Sequence, residues 1–139
     1  MHQNSHKLFI RTIGQGLYDI NWEIKSWVAS KNIREGLLTV FCPHTSASLI
    51  IQENADPDVL YDLNQFLKRI VPEDYPAYRH TIEGPDDMPA HIRSALTQTQ
   101  LSIPLMEGNL VLGIWQGVYL FEHRTRPHNR TVTLHLFGE

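Results

Sequence analysis

The stretch from residue 36 to residue 51 reads GLLTVFCPHTSASLII. Its two apolar runs, LLTVFC and LII, are short and rich in β-branched or large aliphatic residues, a composition typical of buried strands. A polar element, centred on His44, Thr45 and Ser46, interrupts them. Side chains that act in binding or catalysis often lie where a strand begins or ends. The stretch therefore predicts a sheet with functional residues at the ends of its strands.

The residues on the N-terminal side extend this pattern. Residues 7–13 (KLFIRTI) predict a first strand, and Gly14-Gln15-Gly16 predicts a tight turn after it. Asp19 or Asn21 can cap a helix that we expect to end near Gly36. Residues 1–6 lie at the N-terminus and are predicted to be poorly ordered.

On the C-terminal side the clearest helix begins after Asp56, since Pro57 suits a first helical turn and apolar residues recur at helical spacing. Asp87 is placed to cap a third helix over residues 88–96. From Leu101 onward the chain alternates like antiparallel strands, with a turn at Gly108-Asn109. The predicted order is β-α-β-β-α-α-β-β-β, which indicates one α+β domain over residues 1–139 with about three helices.

Composition excludes several classes of protein. A chain of 139 residues that is 42% hydrophobic and has a net charge of -3 fits one ordinary domain, and it has no basic stripe for nucleic acid. No apolar run approaches the roughly 20 residues that a membrane helix needs. Cys42 is the single cysteine, so no internal disulfide can form and the cytoplasm is the expected compartment.

Four polar segments follow or interrupt apolar ones: His44, residues 53–56, residues 80–91 and residues 122–124. Burying an unpaired imidazole or carboxylate costs several kcal/mol, so each segment needs a partner or a function. A single histidine beside a strand is more often hydrogen-bonded than metal-bound. His91 is favoured as a ligand, because we expect it in the first turn of the third helix, where the helix dipole favours a neutral imidazole.

Three motifs in these segments resemble those of the YjbQ family, also called the secondary thiamine-phosphate synthase family. They are HTSASLIIQENADP (44–57), HTIEGPDDMPAHI (80–92) and GIWQGVYLFEHR (113–124). The resemblance implies a largely antiparallel β-sheet sandwich that assembles as a homotrimer. It also implies a divalent metal, with His44, His91 and His123 as ligands and His80 as a further candidate. A site of three histidines suits Zn²⁺ better than Mg²⁺, which prefers oxygen ligands.

The family name implies a reaction that joins hydroxymethylpyrimidine diphosphate to thiazole phosphate and releases diphosphate. Arg124 would then contact phosphate, because its planar guanidinium suits bidentate binding. The residues expected to bind this small phosphorylated substrate are Thr45, Ser46, Asn54, His80, Trp115, Gln116 and Arg124.

Two other functions remain open from the sequence. A site of three histidines suits zinc and an activated water, so hydrolysis of a small phosphoester is one alternative, with Glu122, Glu53 or Asp87 as the general base. The other is a non-catalytic trimer that binds a small anion or a metal. The chain as a whole is predicted to be a transferase-type enzyme with Glu122, Arg124, Asp87 and Glu53 in catalytic roles.

Overall fold

The computed structural model describes all residues, Met1–Glu139, and its strands form two antiparallel sheets. The five-stranded sheet contains, in spatial order, β1 (His2–Thr12), β8 (His128–Gly138), β3 (Gly36–Phe41), β5 (Gln100–Met106) and β6 (Asn109–Leu110). The three-stranded sheet contains β2 (Gly16–Asp19), β7 (Gln116–Glu122) and β4 (Ala47–Glu53). The helices are α1 (Asn21–Ala29), α2 (Pro57–Ile70) and α3 (Asp87–Leu96). The predicted α+β class, with antiparallel sheets and three helices, is confirmed.

The core gathers apolar side chains from both sheets and from α1. Leu38 and Leu134 come from the five-stranded sheet, Leu49 and Leu120 from the three-stranded sheet, and Ile24 from α1, and none of the five is exposed to solvent. Each such side chain contributes about 1.5–3 kcal/mol on burial. The two apolar runs of the opening stretch thus form β3 and β4, which belong to different sheets.

The N-terminal elements differ from their predicted bounds. β1 starts at His2 and pairs with β8 over its whole length, so residues 2–6 are ordered in a ladder and the expectation of disorder there is wrong. α1 ends at Ala29, well before Gly36, because Asn32 adopts a positive φ of 54° that breaks the helix. Gly36 instead opens β3, where a side chain would overlap the carbonyl oxygen of Phe137.

The second and third helices begin in different ways. The Asp56 side chain accepts a hydrogen bond from the Asp58 amide at 2.9 Å, so the predicted cap of α2 is confirmed. α3 begins at Asp87 itself, so the predicted cap at Asp87 is wrong; Asp86 is the N-cap residue, and its side chain makes no capping hydrogen bond. His91 is therefore the fifth residue of α3 and lies beyond the first turn, contrary to the prediction.

The ladder between β4 and β7 fixes the distance between the predicted site residues. Its register runs from Ala47 opposite Glu122 to Glu53 opposite Gln116. Six steps of about 3.3 Å separate these two pairs by about 20 Å. We call the end of the ladder at Ala47 and Glu122 the histidine end; it includes residues 44–46, 80–91 and 122–124. We call the other end, at Glu53 and Gln116, the tryptophan end; it includes residues 53–56 and 113–116.

Sequence patterns missed two short strands, β2 and β6, of four and two residues. β2 pairs with β7 on the side opposite β4, so β7 is the central strand of its sheet. None of the three helices combines the length and the apolar character needed to span a bilayer.

Candidate metal centre

Four side chains at the histidine end bring their ligand atoms within 4.8 Å of one another: His80, Glu83, Asp87 and His91. The Oδ2 atom of Asp87 lies at the centre of the group. It is 2.6 Å from Nε2 of His80 and 3.1 Å from Nε2 of His91, and His80 Nε2 is also 3.2 Å from a Glu83 oxygen. Two imidazoles and two carboxylates thus point toward one small volume.

Local structure explains why these residues meet. Asp87 and His91 are four residues apart on α3, so their side chains share one face of the helix. His80 and Glu83 precede α3 and return toward it through Gly84, whose φ of +102° lies in the left-handed region open to glycine. The short segment EGPDD therefore forms the turn that closes the group.

The second ring nitrogen of His91 is also bonded. Its Nδ1 atom lies 3.0 Å from the carbonyl oxygen of Thr45. A carbonyl oxygen accepts hydrogen bonds and donates none, so Nδ1 carries the proton. In a neutral His91 the lone pair is then on Nε2 and faces the carboxylate of Asp87. Thr45 contributes to the site through its backbone.

Arg124 holds the two aspartates in place. Its Nε donates to Asp86 at 2.9 Å, its Nη1 to Asp87 at 2.5 Å, and its Nη2 to the carbonyl oxygen of Glu83 at 2.9 Å. The guanidinium is thereby committed to protein groups, so the structure does not support its predicted role as a free phosphate contact. It is a positioning residue for Asp87.

Charges and hydrogen bonds set the pKa values here. Burial opposes ionisation of Asp86, but the Thr125 amide and the Arg124 guanidinium outweigh it and lower the pKa of Asp86 to about 2. Burial also disfavours the ionised form of Asp87, yet its hydrogen bond to His80 and the charge of Arg124 lower its pKa. The same hydrogen bond, which His80 donates to Asp87, raises the pKa of His80.

His44 and His123, the other two predicted ligands, lie outside the group. His44 Nε2 accepts a hydrogen bond from the Thr131 amide at 2.9 Å, and burial together with Arg130 lowers the pKa of His44. His123 is 1% exposed, and burial, followed by the charge of Arg93, lowers its pKa to about 3. The structure does not bring the three predicted ligands together, because the side chains of His44 and His123 are engaged elsewhere.

His123 forms a buried pair with Ser48 instead. Its Nε2 lies 2.8 Å from the Ser48 hydroxyl, which also accepts a hydrogen bond from Thr97 at 2.6 Å. The pair has the nucleophile-to-base distance of a serine hydrolase, but Nδ1 of His123 has no carboxylate partner and both residues are buried. No substrate can reach this pair from solvent.

Glu122 is a structural carboxylate. It is fully buried, and its two oxygens accept hydrogen bonds from the Thr12 hydroxyl, from Nε and Nη2 of Arg130, and from the amides of His123 and Arg124. Burial alone would raise the pKa of Glu122, but the Arg130 and Thr12 bonds lower it. A carboxylate with five donors has no free lone pair for a general base, so the predicted role does not fit this position.

The remaining predicted residues divide between the two ends. The Ser46 hydroxyl accepts a hydrogen bond from Arg130 at 3.0 Å at the histidine end. At the tryptophan end Glu53 accepts from the Asp56 amide, Asn54 donates to the Ile114 carbonyl oxygen, and Gln116 accepts from the Gly113 amide. Trp115 is 61% exposed. The residues at the tryptophan end support a turn, and about 20 Å of ladder separates them from the histidine end.

The sequence did not predict two residues of the histidine end, Glu83 and Arg130. Glu83 belongs to the group, but it lies in the turn before α3, so helical spacing gave no signal for it. Arg130 pairs with Glu122, and it alternates with Val132 and Leu134 on the inward face of β8. A charged residue in an otherwise apolar alternation indicates a buried ion pair.

Comparison with known proteins identifies the family. The model of YjbQ-like UPF0047 proteins matches residues 6–139. The UPF0047 protein sll1880 of Synechocystis is 57% identical, covering 99% of this chain and 93% of its own, and the UPF0047 protein YjbQ of Escherichia coli O157:H7 is 40% identical over 90% and 91%. A crystal structure of an uncharacterised YjbQ/UPF0047 protein from Clostridium acetobutylicum superposes with a TM-score of 0.87 at 34% identity, covering 95% of this chain and 99% of its own.

These relatives correct the predicted function. Their names assign no activity, and a YjbQ-like protein from Sulfolobus solfataricus, which shares the fold at 22% identity and a TM-score of 0.87, is described as of unknown function. The prediction of a thiamine-phosphate synthase, with a zinc-dependent hydrolase as its alternative, is therefore wrong. The predicted family is confirmed: the chain belongs to the UPF0047 family of YjbQ-like proteins.

Proposed function

We propose that His80, Asp87 and His91, together with Glu83, bind one divalent transition-metal ion. The observation that carries this proposal is the pair of contacts made by His91. Its Nδ1 proton is used by the Thr45 carbonyl oxygen, so a neutral ring turns the Nε2 lone pair toward Asp87 Oδ2, 3.1 Å away. Two acceptors that face each other at this distance repel, and a cation between them removes the repulsion.

The surroundings of His91 also suit a metal ligand. Histidines that bind metals commonly donate the second ring N–H to a backbone carbonyl or a carboxylate, which fixes the tautomer and the ring orientation. The Thr45 carbonyl oxygen has this position relative to His91. Arg124 acts in the same way on Asp87, since it holds Oδ1 and leaves Oδ2 to face the imidazoles.

The charge balance supports a divalent ion. Glu83, Asp86 and Asp87 carry three formal negative charges, and Arg124 supplies one positive charge. Two negative charges thus stay uncompensated when both histidines are neutral. A divalent cation would neutralise the cluster.

The donor set favours zinc or a similar transition metal. Two imidazole nitrogens and two carboxylate oxygens match ions of intermediate softness, and Mg²⁺ prefers an octahedral shell of oxygens. A zinc ion bound here would act as a Lewis acid toward an oxygen or nitrogen atom of a ligand. The residues of the chain would bind and orient the ion, and Arg124 would keep Asp87 in place.

Other expectations stay predictions. The predictions concern a homotrimer, a phosphorylated substrate, a transferase-type activity and a cytoplasmic location. Cys42, the basis of the last one, is 1% exposed and burial raises the pKa of its thiol to about 11. A thiol that is buried and protonated is unreactive.

Zinc titration by calorimetry tests the proposal. The protein, first stripped with a chelator, should bind one Zn²⁺ per chain, and His91→Ala should weaken binding by at least about 100-fold. His44→Ala is the matched control: geometry predicts unchanged zinc affinity for it, although the sequence motif had made His44 a ligand. No zinc uptake, or loss of zinc in His44→Ala with retention in His91→Ala, would overturn the proposal.

A further inference from the structure

A cavity of about 360 Å³ opens beside the proposed metal centre. His80 belongs to both, and Gly84 and Met88, which flank Glu83 and Asp87, also line the cavity. The loop that follows α2 supplies the rest of the wall. A ligand in this cavity would therefore lie next to the ion, on the side of His80.

Aromatic rings form the outer part of the cavity. The rings of Tyr75 and Tyr78 meet edge to face, with centroids 5.2 Å apart and an interplanar angle of 71°. The Tyr78 hydroxyl donates to the carbonyl oxygen of Pro72 at 2.9 Å, which fixes this ring. Tyr75 is 54% exposed, so its face is open to a ligand. Together with Met88 the two rings give the cavity an apolar lining.

Apart from His80, which bonds to Asp87, the charged residues of the lining are acidic. Glu73 and Asp74 border the cavity, and no lysine or arginine does. Arg93 lies behind the loop, but it is 2% exposed and bonds to the carbonyl oxygen of Val71 at 3.0 Å, so it does not present its charge to the cavity. A phosphate group would meet repulsion here.

The two properties favour the same chemistry. The face of a tyrosine ring carries negative electrostatic potential and attracts cations within about 6 Å. Carboxylates beside such rings add to that attraction. An apolar body packs against Tyr75 and Met88, while a positive group is drawn to Glu73 and Asp74.

We propose that this cavity binds a small organic cation with an aromatic or apolar body, one end of which reaches the ion at His80. The contact between the ligand and the ion rests on the proposed function. Recognition of the cation depends on Glu73, Asp74 and the two tyrosines alone. The bound ion does not reverse the field, because Glu83 and Asp87 balance its two charges.

Benzyltrimethylammonium is a suitable probe, since its quaternary nitrogen cannot coordinate a metal. Calorimetric titration should give binding at least about fivefold tighter than for benzyl alcohol, which has a similar ring and no charge. The double variant Glu73→Gln, Asp74→Asn should lose this preference. Asp62→Asn, an exposed acidic position on α2 away from the cavity, is the matched control and should keep it.

The titration is run on zinc-loaded and on chelator-treated protein, so the two proposals fail separately. Binding of the cation in both states, with its preference lost in the double variant, supports the cavity proposal whether or not zinc binds. Equal affinity for the cation and the alcohol, or an unchanged preference in the double variant, overturns it. If the protein binds the cation but takes up no zinc, the proposed metal centre and the contact between ligand and ion are overturned. The proposal that the cavity recognises a cation is then retained.

Discussion

The histidine and tryptophan ends of the β4–β7 ladder use polar side chains in different ways. At the histidine end charged groups bond to one another, as Arg124 does to Asp86 and Asp87. At the tryptophan end polar side chains bond to the backbone, as Asn54 does to the carbonyl oxygen of Ile114. The first arrangement fixes the positions of ionisable groups, and the second fixes the path of a turn.

This difference shows which end can support chemistry. Charge-assisted hydrogen bonds are shorter and about twice as strong as neutral ones, so they hold side chains in one geometry. At the tryptophan end the Asn54 bond fixes a backbone turn, and the ring of Trp115 is exposed. Substitutions at the two ends should therefore have unlike effects.

The largest effect is expected from Arg130→Met. It would leave the Glu122 carboxylate buried without its cation, which costs about 3–5 kcal/mol of unfolding free energy. Urea denaturation measures this loss. Arg11→Met, on the exposed face of β1, is the matched control and should change stability by less than about 0.5 kcal/mol. A loss below about 1 kcal/mol in Arg130→Met would show that the pair does not support the histidine end.

Arg124→Gln should weaken zinc binding by about 10–100-fold, because Asp87 would lose the partner that orients it. Zinc calorimetry on the folded variant measures the change. Arg126→Gln is the matched control, since Arg126 is exposed and has no bond to the aspartates. Trp115→Ala, at the other end, should leave the affinity unchanged. An equal loss in Trp115→Ala would remove the distinction between the ends.

Glu122→Gln should cost about 2 kcal/mol at pH 7, as hydrogen bonds to a charged group are exchanged for neutral ones. Because the Arg130 and Thr12 bonds hold the pKa of Glu122 below its value in the unfolded chain, its stabilisation is complete above about pH 4.3 and is lost as the pH falls through the folded value.

Urea denaturation between pH 7 and pH 3 measures this dependence. The stability gap between wild type and Glu122→Gln should narrow on acidification. The gap for Gln116→Ala, which removes no titratable group at the tryptophan end, should stay constant with pH. A Glu122→Gln gap that does not narrow would mean that Glu122 is not ionised in the folded protein.

Local patterns explain why some elements were predictable. β3 and β4 are apolar runs with clear breaks, and α2 carries its cap, its first-turn proline and its apolar spacing in consecutive residues. Residues 80–91 were also predicted as part of a functional site from a pattern of consecutive residues. Each of these signals needs no knowledge of which strands pair.

The ligand set depended on long-range geometry instead. His91 faces Asp87 because α3 begins one residue earlier than expected, and its Nδ1 atom is occupied because the 44–46 segment packs against that helix. His123 points to Ser48 through the register of β4 and β7. The three sequence motifs contain all these histidines, but they do not give the pairing register of the strands. The motifs alone therefore could not separate His44 and His123 from the metal-binding group.

The smallest effect is expected at the tryptophan end, from Asp56→Ala. This change removes the acceptor of the Asp58 amide and should destabilise α2 by about 1 kcal/mol, as N-cap losses usually do. Asp62→Asn, within the same helix and without a capping bond, should cost less than about 0.5 kcal/mol. Zinc affinity should be unchanged in both variants, because about 20 Å of ladder separates Glu53, next to this cap, from the histidine end. Weakened zinc binding in Asp56→Ala would mean that the two ends are coupled, and the tryptophan end would then belong to the site.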